Sequence, residues 1–141
     1  MKINDIMIGD WVNFLIDVEG GDTEYDGATA YYQPLQITTI AAWGAGNDGE
    51  VASDEGVVND PDQLQPIPLT PEILKKNGFE LQRDKSELGI LDTYWLGSEL
   101  GTFRIHRLNN RDYQFGLAKI RNVHELQHAL RLCRIEKEIK L

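Results

Sequence analysis

Hydrophobic and polar residues alternate in the first part of the chain, a pattern that predicts short β-strands joined by polar loops. Residues 11–18 form the first predicted strand, and one face of it carries Val12, Phe14, Ile16 and Val18. Acidic, glycine-rich loops are predicted at 19–27 and 44–56. Short strands separated by such loops favour a small, strongly bent sheet of barrel-like form.

The second predicted strand, residues 31–42, changes phase along its length. Leu35 and Ile37 share one face, whereas Ile40 falls on the other, so we expect a bulge near Thr38. Residues 57–58 and 63–69 predict two shorter strands. The prolines of the second of these favour the edge of the sheet.

A short helix is predicted to divide the chain. Thr70 is a favourable N-cap, and Pro71 fits the first helical position, where no N–H is needed. Asn77 and Gly78 predict the end of the helix, since a glycine there adopts the left-handed conformation. We therefore expect an acidic, β-rich part at 1–69 and a second part at 70–141.

Residues 79–118 predict an antiparallel meander of about four strands: 79–83, 90–96, 102–108 and 112–118. Asn109 and Asn110 favour a hairpin turn because asparagine tolerates positive φ. Core-facing side chains are expected at Phe103, Ile105, Tyr113, Phe115 and Leu117. The tail, residues 135–141, alternates enough to predict a final short strand.

A C-terminal helix is predicted from residue 123 onwards. Asn122 is a suitable N-cap, and Glu125 lies three residues later, as in a capping box. An apolar stripe at helical spacing predicts packing on the sheet and consists of Val123, Leu126, Leu130 and Cys133. Together these elements predict an α+β fold.

The net charge of −9 is distributed unevenly. Residues 1–65 hold one Lys and thirteen Asp or Glu, a sum of −12, whereas residues 66–141 hold thirteen Lys or Arg and ten acids, a sum of +3. An acidic surface repels phosphate, which disfavours direct binding of DNA or RNA. The acidic half is expected to face solvent or a basic protein partner.

Cysteine content and hydropathy indicate a cytoplasmic protein. Cys133 is the single cysteine, so the chain cannot form an internal disulfide, which suits a reducing compartment. The first residues lack the apolar stretch of a signal peptide. The longest uncharged run, 27–47, is interrupted by Pro34 and polar residues and predicts no membrane span.

The C-terminal helix carries one motif associated with catalysis. His124 and His128 are separated by four residues, a spacing that lets two histidines bind zinc from one helix face. Glu125 would then act as the general base for a metal-bound water. The motif thus raises the hypothesis of a zinc metallopeptidase.

A catalytic zinc needs a third protein ligand, and the sequence offers few. Arg131 and Arg134 stand where the extended motif requires Gly and His, which leaves His106 as the remaining candidate. The structural interpretation assigns Glu125 to the helix cap and places both helix histidines on the polar face. It predicts no catalytic residue, metal or cofactor.

Residues 22–27 have acidic and hydroxyl side chains at alternating positions, followed by Gly27, as at the start of a calcium loop. The twelfth position is Gln33 rather than Glu, and no helices are predicted on either side. Weak calcium binding is the corresponding hypothesis. The basic run of Arg104, His106 and Arg107 is interpreted as a solvated strand face.

Two long motifs, residues 65–79 and 123–133, together with residues 8–12, are similar to a group of small proteins encoded in Bacteroidetes genomes and their prophages. The resemblance implies a phage or mobile-element origin and assigns no activity. Members of that group often have Gln where this chain has Glu125, which would remove the general base. The acidic loops at 19–27 and 44–56 match no motif of the group.

The sequence thus predicts a non-enzymatic interaction or accessory protein with a protein partner. Two alternatives remain open. One is a zinc-dependent metallopeptidase that uses His124, Glu125 and His128. The other is an acidic mimic that sequesters a basic nucleic-acid-binding protein.

Overall fold

The structure is a computed structural model that describes residues 1–19, 29–82, 89–98 and 101–141. Two antiparallel sheets and a few short helices give the predicted α+β fold. The chain divides into two compact units, Met1–Ile67 and Pro68–Leu141. Pro68 and Leu69 belong to the second unit because they pair with Asn122 and Arg121.

The N-terminal unit contains one five-stranded sheet. Its strands are β1 (Trp11–Glu19), β2 (Thr29–Ala42), β3 (Gly49–Ser53), β4 (Val58–Asn59) and β5 (Gln65–Pro66). Their order is β4-β3-β2-β1-β5, so β5 occupies an edge, as its prolines predict. The core of this unit is formed by Ile3, Ile6, Val12, Phe14, Leu35, Ile37, Val51 and Leu64.

The stretch 44–56, predicted as a loop, contains strand β3. The prediction was wrong because Val51 is flanked by acids, glycine and small residues, which give no clear strand pattern. The backbone of β3 pairs with β2, and this pairing buries Val51 completely. The pairing leaves no room for a side chain at Gly49, since a Cβ there would collide with the Ala41 carbonyl oxygen.

Two bulges shape the long strands of this sheet. The β2–β3 register shifts between Ile37 and Thr39, so the predicted bulge at Thr38 is confirmed. The β1–β2 register shifts between Leu15 and Asp17, which the sequence did not predict. Ile16 lies at this shift and is exposed, as is Val18, so the core face of β1 stops at Phe14.

Asn59 joins the two distant strands β4 and β1. Its Oδ1 accepts a hydrogen bond from the Leu15 N–H at 2.6 Å, and its Nδ2 donates to the Leu15 carbonyl at 3.1 Å. In the strand order β4 lies three places from β1, so this contact requires the sheet to curl. The amide therefore bridges β4 and β1 across a strongly bent sheet, as the loop pattern predicted.

The C-terminal unit contains a second sheet and two helices. Its elements are α1 (Pro71–Lys76), β6 (Glu80–Gln82), β7 (Asp92–Ser98), β8 (Gly101–Arg107), β9 (Tyr113–Phe115), β10 (Ala118–Ile120) and α2 (Val123–Leu132). The strands follow one another as a meander in the order β10-β9-β8-β7-β6. Thr70 caps α1 as predicted, and its hydroxyl accepts from the Ile73 N–H.

In the described residues the meander has five strands rather than about four. The predicted strand at 112–118 is broken by a turn at Gly116, whose φ is 57°. Leu117 is therefore fully exposed, and its assignment to the core was wrong. The other predicted core residues of the sheet are buried or half-buried, and Phe115 stacks on Phe103 with 4.4 Å between ring centroids.

The turn predicted at Asn109 is present, but it does not depend on a positive φ at Asn109 or Asn110. The Asn109 side chain accepts hydrogen bonds from the N–H groups of Arg111 and Asp112, both at 2.8 Å. Hydrogen bonds from Asn109 and Arg121 lower the pKa of Asp112. The side chain thus supplies the turn that the backbone conformation was expected to supply.

The tail does not form the predicted strand, yet it is anchored. The Asn77 amide donates to the Lys140 carbonyl and accepts from the Lys140 N–H, each at 2.7 Å. Ile139 is buried at 1% exposure beside this contact. The Asn77 amide makes the two hydrogen bonds that a neighbouring strand would make to Lys140. The tail is therefore anchored without forming a strand.

Asn59→Ala is expected to lower the free energy of unfolding by about 2–4 kcal/mol, because it removes the two part-buried hydrogen bonds between the Asn59 amide and the Leu15 backbone. Val58→Ala is the matched control, since Val58 is adjacent and exposed. Urea denaturation followed by tryptophan fluorescence measures both. Equal stability of the two variants would contradict the bridging role of Asn59.

Tyr113 carries a buried hydroxyl that has no hydrogen-bond partner among the described residues. Burial raises the pKa of Tyr113 to about 12. An unfolded tyrosine has a pKa of about 10, so the unfolded chain loses this proton first and stability falls between about pH 10 and pH 12.

Tyr113→Phe is expected to leave the free energy of unfolding at neutral pH unchanged or to raise it by about 1 kcal/mol. The stability of the variant should also fall less between about pH 10 and pH 12, because it lacks the hydroxyl that titrates there. Urea titrations at pH 7 and at several values between pH 9 and pH 12 test both effects. A large loss of stability at pH 7 would show that the hydroxyl is satisfied in the folded protein.

Candidate functional site

Helix α2 carries the histidine motif, and its first turn is built around Glu125. One oxygen of this carboxylate accepts the N–H of Asn122 at 3.1 Å, the N–H of Arg121 at 3.2 Å and the side-chain amide of Asn122 at 2.9 Å. In these contacts the Glu125 side chain accepts the backbone N–H of the N-cap residue, which is one of the two interactions of a capping box. The carboxylate thus has a structural task at the position that the catalytic hypothesis assigns to the base.

The two helix histidines do not share one environment. His124 is 6% exposed, so its placement on a solvent-facing side of the helix was wrong. Its ring lies 5.7 Å from that of His128 between centroids, with the planes at 80°. Gln127 is buried too, so the buried face of α2 extends beyond its apolar stripe.

His106 was the candidate third metal ligand, and it lies on β8. Its Nδ1 is 2.8 Å from the Thr93 hydroxyl on the paired strand β7. Across residues 1–19, 29–82, 89–98 and 101–141, no three His, Cys, Asp or Glu side chains are placed to hold a metal ion. The structure therefore does not bring His106 together with His124 and His128 as a metal centre.

The remaining predicted sites are only partly described. The calcium-loop stretch at 22–27 lies outside the described residues, and Gln33 donates to Glu55 at 3.2 Å. In the basic run, Arg107 is not a free solvated residue, because its Nε donates to Asp92 at 2.9 Å. That hydrogen bond raises the pKa of Arg107.

A two-stranded arm projects beyond the bulge at Ile16 and consists of residues 16–19 and 29–32. Register alternation places Ile16, Val18 and Ala30 on one side of it. Asp17, Glu19 and Tyr31 lie on the other side, where the Tyr31 hydroxyl donates to Glu19 at 3.1 Å. Ile16, Val18 and Tyr31 are 44–50% exposed, so the arm presents an apolar side and an acidic side.

The edges of this arm are open in the described part of the chain. β5 pairs with β1 only at Val12 and Asn13, and β3 pairs with β2 only from Ile37 onwards. Residues 16–19 and 29–32 therefore pair only with each other among the described residues. A strand edge of this kind can accept a further strand from another chain.

A cleft of about 570 Å³ lies in the C-terminal unit. It forms where residues 134–137, which follow α2, run beside the end of β7. Its lining consists of Leu96, Gly97, Ser98, Arg134, Ile135, Glu136 and Lys137. Ile135 also lines a smaller hollow of about 190 Å³. Its walls include the stacked rings of Phe103 and Phe115 and the half-buried Cys133.

The basic residues on the rim of this cleft were not predicted from the sequence to form a site. Arg134 and Lys137 lie on it, and Arg131 joins them on an adjoining open face. No motif marks these residues, and the sequence predicted a short strand for the tail. The one available signal was the end of α2, where no Gly or Asn is present to stop the helix.

Comparisons with known proteins identify no relative. No family model, curated protein or solved structure matches the chain. Within the described residues, no helix has the length and apolar character needed to span a membrane.

Glu125→Ala is expected to lower the free energy of unfolding by about 1 kcal/mol because the cap of α2 is lost. Glu125→Gln should change it little, since the Gln carbonyl can accept the same hydrogen bonds. Glu138→Ala, on the exposed tail, is the control. Urea denaturation measures all three, and equal destabilisation by Ala and Gln would show that charge rather than capping matters.

Proposed function

We propose that the protein is a non-enzymatic binding protein that recruits a basic protein segment to the arm of its N-terminal unit. The observation that carries this proposal is the arm itself, which combines open strand edges, an exposed apolar side and an acidic side. The resemblance of residues 65–79 and 123–133 to prophage-encoded proteins supports an accessory role in a phage or mobile element.

The arm favours a partner segment with a definite pattern. A strand added to either edge alternates its side chains between the two sides of the arm. Residues beside Ile16 and Val18 would be apolar, and residues beside Asp17 and Glu19 would be basic. The recognised segment is therefore an extended one in which apolar residues alternate with Lys or Arg.

The charge of the N-terminal unit supports the same partner chemistry. Residues 1–65 sum to −12, which raises the association rate with a basic protein and makes binding sensitive to salt. Helix α2 supports a non-catalytic role, since Glu125 caps the helix and His124 is buried.

A second candidate function follows from the same charge. The acidic unit would act as a mimic that sequesters a basic nucleic-acid-binding protein. In that case the total negative charge would matter and the strand edge would not, so the two functions differ in which acids they need.

The test uses two synthetic peptides of equal composition, one with alternating Lys and Val and one with a block of each. The alternating peptide is expected to bind at least tenfold more tightly, measured by fluorescence anisotropy at low salt. Asp17→Lys with Glu19→Lys should weaken its binding by about tenfold or more, and the loss should shrink at high ionic strength.

The matched control is Asp48→Lys with Glu50→Lys, which changes the net charge equally at two exposed acids outside the arm. This variant is expected to bind nearly as the wild type does. Equal losses in both variants, with no preference between the two peptides, would contradict the strand-edge proposal and favour the mimic.

A further inference from the structure

Helices α1 and α2 end in the same way but with different residues. After α1, the N–H of Phe79 bonds to the Leu74 carbonyl at 3.0 Å, and Gly78 takes the left-handed conformation with φ of 85°. After α2, the N–H of Ile135 bonds to the Leu130 carbonyl at 2.9 Å, and Arg134 takes that conformation with φ of 57°. Both ends are Schellman motifs.

The residue at the second end is unexpected on stability grounds. Glycine adopts the left-handed conformation without steric cost, whereas other L-residues pay about 1 kcal/mol or more. In the described residues Arg134 is the one non-glycine residue with positive φ. A basic residue near a helix C-terminus gains some dipole energy, but Arg131 in the last turn already supplies a cation there.

Strained residues of this kind concentrate at functional sites. The Arg134 side chain lies on the rim of the 570 Å³ cleft, which Lys137 also lines. Within the described chain neither side chain has an ion-pair partner. Among the described lining residues the rim carries these two cations and one acid, Glu136.

The floor of the cleft has the opposite character. Leu96 and Ile135 line it, and Ile135 continues into the hollow formed by the stacked rings of Phe103 and Phe115. A cleft of a few hundred cubic ångströms with an apolar floor and a few polar groups is typical of small-molecule sites.

We propose that this cleft binds a small amphipathic carboxylate, whose carboxylate pairs with Arg134 and Lys137 and whose apolar chain lies on Leu96 and Ile135. The charge of the rim selects an anion, and the floor selects an aliphatic or aromatic body. The site lies wholly in the C-terminal unit, so it does not depend on peptide binding at the arm.

The test measures octanoate binding by isothermal titration calorimetry, below its micelle concentration, with octanol and acetate as comparison ligands. Octanoate is expected to bind at least fivefold more tightly than octanol, which lacks the charge, and acetate should not bind measurably. Equal binding of octanoate and octanol, or no binding of octanoate, would overturn the proposal.

Arg134→Gly separates a structural role from a binding role. Because glycine suits the left-handed conformation, this variant should fold at least as stably as the wild type, with a melting temperature equal or higher. Its octanoate affinity is expected to fall by about tenfold through loss of the guanidinium.

Arg134→Lys keeps the charge and should retain most of the affinity. Arg111→Ser removes one positive charge from the exposed loop between β8 and β9 and should bind octanoate as the wild type does. If Arg134→Gly binds octanoate as tightly as the wild type, or if Arg111→Ser loses as much affinity, the cleft is not the site.

Discussion

Two buried asparagine amides hold this protein together at points where a strand would otherwise be needed. Asn59 bonds both backbone polar groups of Leu15, and Asn77 does the same for Lys140. Buried backbone groups must be paired, and a carboxamide offers both a donor and an acceptor, as a peptide group does. The curled sheet in one unit and the anchored tail in the other both depend on a side-chain amide that pairs with backbone groups in place of a strand.

The anchored tail explains why the C-terminal unit has a cleft. Asn77 fixes Lys140, and Ile139 is buried, so the chain between them and α2 is held at both ends. The other end is the turn at Arg134, which brings Ile135 back to the Leu130 carbonyl. Residues 134–137 are thereby held beside Leu96 rather than continuing the helix into solvent.

The two units differ in the charge and in the apolar surface that they expose. Among the described residues, the acidic N-terminal unit holds most of the exposed large apolar side chains, including those of its arm. The C-terminal unit is slightly basic, and its cations line a cleft. The arm has open strand edges among the described residues, whereas the cleft combines the apolar Leu96 and Ile135 with charged side chains on its rim.

The sequence by itself determined the elements whose signals are local. The caps at Thr70 and Asn122, the phase change at Thr38, the edge prolines and the apolar stripe of α2 all act within a few residues. These features were sufficient to predict the α+β class and the position of α1 along the chain, after the strands of the first sheet and before those of the second.

Only the tertiary structure decided the features that join residues distant in sequence. Strand β3 exists because β2 pairs with it, and His124 is buried because the fold covers more of α2 than its apolar stripe. The cleft likewise combines the end of β7 with the residues after α2. Such contacts depend on which elements meet, and periodicity along the chain carries no information about that meeting.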